Sequence, residues 1–235
     1  MDPTQPPAPK QRSPWVYVLL GCAGFAGLTC LGIFATCGYV AKKGNDMIQG
    51  VTDPKQREEN ARRSLGGIPE GYYVAASLSV FGMMETTMLT DVPPLADGGF
   101  AIDKRSFMFF HVMGTEQNKR TKAFFTSDSN DTAALRQSGI NMDAKDIIKR
   151  GQLTVDSRKF YYVVTRGRLD TGGMSVEGLN NAIYFECPGD ALNIGVWSQR
   201  DDQPDKKIDE LNLTGTVADE LAIAKFVKPM DPCGK

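Results

Sequence analysis

Hydrophobic and polar positions divide the chain into two regimes. Trp15 to Ala41 is one run of 27 residues without a charge, closed by Lys42-Lys43. From Tyr72 onward, short apolar segments are interleaved with polar ones. At ~1.5 Å per residue a helix over the charge-free run would reach roughly 40 Å, against a hydrocarbon core about 30 Å thick. Trp15, Tyr17 and Tyr39 sit near its ends, where aromatic rings favour the headgroup boundary. The run is about twice the length of a secretory h-region, and Tyr39-Val40-Ala41 puts a large ring where a cleavage site needs a small residue. The pattern predicts a retained transmembrane helix over residues 15–41.

The flanks differ in character. Residues 1–14 are Pro-rich and are expected to be a disordered tail. Residues 42–67 read as a polar linker carrying a helical spacer. Asp53 is its N-cap, Pro54 stands in the first turn, Glu58/Arg62 and Glu59/Arg63 are i,i+4 pairs, and Gly66-Gly67 is the stop. Almost all of that helix is polar, so it would stand the domain about 20 Å off the bilayer.

Residues 68–235 are expected to be one globular α+β domain with a mainly antiparallel sheet flanked by helices. Tyr72 to Phe81 alternates with period 2, and Met84 to Thr90 returns after Gly82. Ser106 to Met113 is apolar on both faces, as a covered central strand would be. Glu116–Phe125, Asp131–Gln137 and Asp143–Arg150 carry helical patterns, the last with Ala144, Ile147 and Ile148 on one face. Gln152–Val155 with Lys159–Arg166, and Asn181–Cys187 with Ala191–Ser198, read as hairpins around short turns. A closing amphipathic helix over Val217–Val227 would turn Val217, Leu221, Ala224 and Val227 inward.

Charge narrows the partners. With 27 Lys+Arg against 28 Asp+Glu, net charge −1, nothing marks a nucleic-acid surface. The expected partners are a lipid bilayer through residues 15–41 and a protein of the same compartment. Ala23 and Gly27 have the small-xxx-small spacing that lets membrane helices self-associate, although ordinary apolar filling is the simpler reading. Of five cysteines, Cys187 and Cys233 lie outside the run. In an oxidising compartment they would form a disulfide, and elsewhere Cys187 would be a buried thiol beside Ile183 and Phe185.

Catalytic constellations are missing from the sequence. The single histidine, His111, shares a strand face with Phe107 and Phe109 and reads as a core residue. There is no C-x-x-C, no P-loop, no G-x-G-x-x-G and no G-x-S-x-G, so no cofactor or metal is expected. Asp128, Asn130 and Thr132 begin like a calcium loop, but Ala133 and Gly139 stand where Gly and Glu are required. Arg166 and Arg168 share a strand face and could hold an anion together; edge-strand charges that discourage aggregation are the plainer reading.

A Pro-rich basic stub, Ser13-Pro14-Trp15 leading into a Gly-rich span, and Ile68-Pro69-Glu70-Gly71-Tyr72-Tyr73 together resemble a group of single-span bacterial envelope proteins without a known activity. The order of elements from Ile68 to Val227 also resembles the PsbP-like sandwich, whose members are mostly binding or accessory modules. These resemblances imply a membrane-anchored, non-catalytic binding module of a bacterial inner membrane with an extracytoplasmic domain. The positive-inside rule points the other way, since Lys42, Lys43, Lys55, Arg57, Arg62 and Arg63 all follow the run. The competing expectation is a tethered hydrolase, with acids drawn from the loops Asp91–Gly99 and Asp201–Asp205.

Overall fold

The computed structural model describes residues 53–80, 84–95, 101–114, 116–127, 136, 140–171 and 174–234. Its elements run α1 (Pro54–Leu65), β1 (Tyr73–Val80), β2 (Met84–Thr90), β3 (Arg105–Val112), α2 (Glu116–Thr126), β4 (Asn141–Val155), β5 (Arg158–Thr171), β6 (Met174–Phe185), β7 (Leu192–Arg200), a short 3-10 turn at Ile208–Glu210 and α3 (Glu220–Val227). The strands form one seven-stranded sheet in the order β1-β2-β3-β7-β6-β5-β4, every neighbouring pair antiparallel. Two meanders, β1–β3 and β4–β7, are sewn together by β3 against β7.

This corrects the expected fold class. Among the described residues no helix is long and apolar enough to cross a membrane, and the helix expected over 15–41 lies outside those residues. Among the described residues the structure supports an α+β fold of one antiparallel sheet with three α-helices.

Strand alternation sends side chains to two covered faces. On one face Phe107, Phe109, Phe160, Ile183, Phe185 and Trp197 pack with Ala61 and Leu65 of α1 and with Ile223, Phe226 and Val227 of α3. On the other, Val163, Ala182, Tyr184, Ile194 and Val196 pack under Phe124 and Phe125 of α2. β7 sits between β3 and β6 and is buried along its whole length except Arg200, as expected of a strand covered on both sides. Gly195 is required there: a Cβ would stand 2.3 Å from the Phe107 ring.

Three other expectations are corrected. α1 forms with its predicted Asp53 cap, which accepts from the Lys55 amide at 2.9 Å, and with the Glu58–Arg62 ion pair at 2.8 Å. It is not a spacer, however, because it packs on β1 and β2, so the folded domain begins before residue 68. Arg57, only 5% exposed, donates to the Ala75 carbonyl, and Ser64 bonds Thr87, which also meets Ser77. These polar groups hold α1 to the sheet beside its buried Ala61 and Leu65, which composition alone cannot reveal.

Residues 143–150 are strand, not helix: they belong to β4, which carries register shifts between Ala144 and Asp146 and between Ile147 and Lys149. Ile147 packs with the α2-side cluster and Ile148 with the other, so neighbouring apolar residues serve opposite faces and imitate a helical stripe. In α3 the inward residues are Ile223, Phe226 and Val227, while Leu221 is 81% exposed. The helix expected over 131–137 lies outside the described residues apart from Arg136, and so do the first positions of the calcium-like loop, 128–133.

Candidate binding site

An open cavity of about 720 Å³ lies on the α1/α3 face, between the segment that follows α1, the start of β3 and the outer side of α3. It is larger than the depressions of about 340 Å³ beside α2 and about 420 Å³ beside Arg166. Its floor is aromatic. Trp197, 2% exposed, stacks on Phe226 with ring centroids 4.0 Å apart and planes 6° from parallel. Tyr72 meets Phe226 edge-on at 5.0 Å, and Phe107 does so from below at 5.1 Å. Both are favoured arrangements for rings with negative faces and positive edges.

The floor is fixed by hydrogen bonds. The Trp197 indole N–H donates to the Tyr72 hydroxyl at 2.7 Å. Arg105 lies 5.8 Å from the Trp197 ring centroid, donates to the Gln199 side chain at 3.2 Å and to the Gly215 carbonyl at 2.8 Å, and is itself placed by Asp91, which accepts from its amide. Burial pushes the Tyr72 phenol up to about 12, although the Trp197 hydrogen bond and the Arg105 charge pull the other way. Tyr72 is therefore protonated at neutral pH and acts as a fixed phenol, not a base.

The walls are pinned from three sides. Gly66 has φ +79° and Gly67 abuts Pro229; a Cβ on Gly67 would stand 2.3 Å from the Pro229 carbonyl oxygen. Asp231 N–H donates to the Leu65 carbonyl, tying the C-terminal tail to the end of α1. Arg158, just beyond the β4–β5 turn, donates to the carbonyls of Lys228 and Met230. Cys187 and Cys233 are joined by a disulfide with Cα atoms 5.1 Å apart, fastening the same tail to the β6–β7 loop. Ile68, Pro69, Lys228 and Pro229, which line the cavity, are thus held by a network rather than by one contact. The rim carries Lys225 and Lys228, with Glu70 and Asp156 as counter-charges.

In the sequence-derived pair Arg166 and Arg168, both guanidinium groups already have carboxylate partners. Arg166 is spent on Asp201, at 2.6–2.7 Å, and on the carbonyls of Gln203 and Lys206, so it clamps the loop after β7. Arg168 pairs with Asp170 at 2.9 Å on the surface. The loop acids expected of a hydrolase are similarly committed. Asp91 caps the amides of Asp103, Lys104 and Arg105, and Asp201 also accepts from the Gln203 amide. Glu177 lines the depression beside Arg166 with Asp201, but the Arg166–Asp201 pair occupies the chemistry there. His111 is half-buried rather than in the core; it bonds Asn193 at 2.8 Å, at the end of β3 away from Arg105.

A second polar cluster holds α3 to the sheet. Glu220 accepts from the Tyr162 hydroxyl at 2.7 Å and pairs with Lys149 at 2.9 Å. Burial raises the Tyr162 phenol, and the neighbouring carboxylate adds to the rise. The Glu220 carboxyl is lowered, first by the hydrogen bond from Lys149 and then by that from Tyr162. A protonated phenol leaning on an ionised carboxylate is structural glue, not an activated nucleophile.

Sequence reasoning did not single out Tyr72, Arg105, Trp197, Lys225 or Phe226 as a group. Tyr72 and Trp197 stand 125 positions apart, and only the β3–β7 pairing and the docking of α3 bring them together. The one available signal was a lone aromatic, Trp197, in a strand whose other apolar residues are Leu192, Ile194 and Val196. Set against protein-family models, curated proteins and solved structures, the chain shows no match to any of them.

Proposed function

We propose that this protein is a non-catalytic binding module of a bacterial cell envelope, and that the cavity floored by Tyr72, Trp197 and Phe226 is where it binds. The observation that carries the reading is the cavity itself. It joins an apolar, preformed floor to a few charged groups at the rim, the composition typical of ligand sites. Its rings and walls are positioned before any ligand arrives, which lowers the ordering cost of binding.

Placement outside the cytoplasm is supported by the Cys187–Cys233 bridge, since such bonds persist in oxidising compartments. The charge-free run of residues 15–41 supports contact with a bilayer on composition alone. The hydrolase reading is not carried forward, because Asp91 and Asp201 already serve as backbone and arginine partners.

The chain has two tryptophans, Trp15 and Trp197. In the full chain with Trp15→Phe, Trp197 is the only indole, and its emission reports the cavity floor. Titration with small aromatic and amphiphilic compounds should shift that emission saturably, and Trp197→Phe should abolish the signal. If no compound in a chemically broad set moves the emission, or if saturable binding persists when Ala222→Trp fills the cavity, the reading is wrong.

A further inference from the structure

We infer that the ligand of this cavity is a small organic monoanion with a flat apolar body, its anionic group held at the rim by Lys225 and Lys228. This rests on the cavity being a binding site, and goes further by naming the chemistry it selects.

The argument starts from what each lining charge already does. Arg105 is already spent on Gln199, Gly215 and the Tyr72–Trp197 pair, so its guanidinium is committed within the protein. Asp156 lies 3.7 Å from Arg158, which answers part of its charge. Lys225, on the exposed side of α3, and Lys228, at its C-cap, have no ion pair among the described residues, and the same holds for Glu70 in the turn before β1. The mouth therefore presents two uncommitted ammonium groups against one uncommitted carboxylate, a surplus of one positive charge.

Below the mouth the polar groups are few, the main one being the Tyr72 hydroxyl, whose own hydrogen has no acceptor among the described residues. The Trp197 N–H is satisfied by Tyr72. What the interior offers is ring and methylene surface from Phe226, Tyr72, Ile68 and Pro69. Two long ammonium side chains at the edge of an apolar recess favour an amphiphile with one charged end. Lysine stems can lie along the apolar body while the charged heads stay in water. The ionic part of the affinity is exposed and so must be salt-sensitive.

The test uses the full chain in detergent, with protein-free micelles as blank, and an isosteric pair of probes: 2-naphthaleneacetate and 2-naphthaleneacetamide. Isothermal titration should show the acetate binding roughly fivefold tighter than the amide at low salt, the range two exposed charges provide. Lys225→Ala/Lys228→Ala should close the gap, as should 0.5 M salt, while Glu70→Gln should tighten the acetate by about twofold to threefold. All three residues are exposed, so these variants fold. Equal binding of acetate and amide, or a gap that survives the double lysine variant, overturns this inference and leaves the binding reading intact. Should neither probe bind, this inference is overturned, and the binding reading falls with it only if the broader compound set also leaves Trp197 emission unmoved.

Discussion

α1 holds to the sheet through the small aliphatic pair Ala61 and Leu65 together with Arg57, Ser64 and a hydroxyl bridge to Thr87, whereas α3 holds to the same face through Phe226 stacked on Trp197. The difference is one of chemistry and of room. A buried hydroxyl pair contributes about 1 kcal/mol net. A buried phenylalanine contributes roughly 1.5–3 kcal/mol, with about 0.5–1.5 kcal/mol more for ring geometry. The α1 contact is specific and closes tightly on β1 and β2. The α3 contact is built on large rings, and the recess lies beside them. The cavity belongs to the aromatic flank.

Phe226→Ala breaks the comparison most severely. It removes the stack on Trp197 and the edge contacts with Tyr72 and Phe107. The expected loss is about 3–5 kcal/mol, read by urea unfolding of the Trp15→Phe chain through Trp197 emission. Next is Cys187→Ala/Cys233→Ala, which frees a tail crossing the same flank over a separation of 46 residues. A loss of roughly 2–4 kcal/mol is expected, with a matching drop when the parent is reduced by a dithiol. A variant as stable as the parent would mean that Arg158 and the Asp231–Leu65 bond hold the tail unaided.

Alkali sharpens the comparison by acting on the aromatic flank. The Tyr72 phenol is raised from 10.0 to about 12 in the folded state, so its contribution is complete below pH 10 and is lost as pH rises through about 12. Stability should fall by about 2 kcal/mol across that window, and Tyr72→Phe should remove that part of the fall. If the parent and Tyr72→Phe decline in parallel, the phenol is not buried as described.

Thr87→Val tests the polar flank. It leaves Ser77 without its hydroxyl partner, while Ser64 keeps its bond to the Ala61 carbonyl, so a loss of about 1 kcal/mol is expected in the same unfolding assay. The smallest effect concerns Glu220. Its carboxyl is lowered from 4.5 in the fold, so the link to Lys149 and Tyr162 is complete above that value and is lost as pH falls through the lowered one. Acid unfolding of Glu220→Gln should lack this component, with only a slight change at neutral pH.

Alternation in Tyr73–Val80, the return after Gly82 in Met84–Thr90 and the run apolar on both faces in Arg105–Val112 made three strands legible to within about a residue at each end, because each is a direct consequence of the pleat and of which faces are covered. The Asp53 cap and the turn expected at Asp156-Ser157-Arg158, which the structure tightens to Asp156-Ser157, were legible for a similar reason: each is a local arrangement with its own chemistry. β4 was not, since its bulges spoil the alternation, and α1 was taken for a spacer because Arg57 and Ser64 look solvated until their partners in β1 and β2 are known. Leu221 shows the same limit from the other side, an apolar residue whose helix turned it outward.

By itself the amino-acid order determined the secondary structure wherever neighbours in sequence are the partners that matter: caps, two-residue turns and regular strands. Only the tertiary structure decided which side of a helix is covered, which arginine is spent, and that Tyr72, Trp197 and Phe226 meet. Those outcomes depend on contacts between residues tens to more than a hundred positions apart, whose energies exist only once the sheet has closed β3 onto β7 and seated α3 upon it.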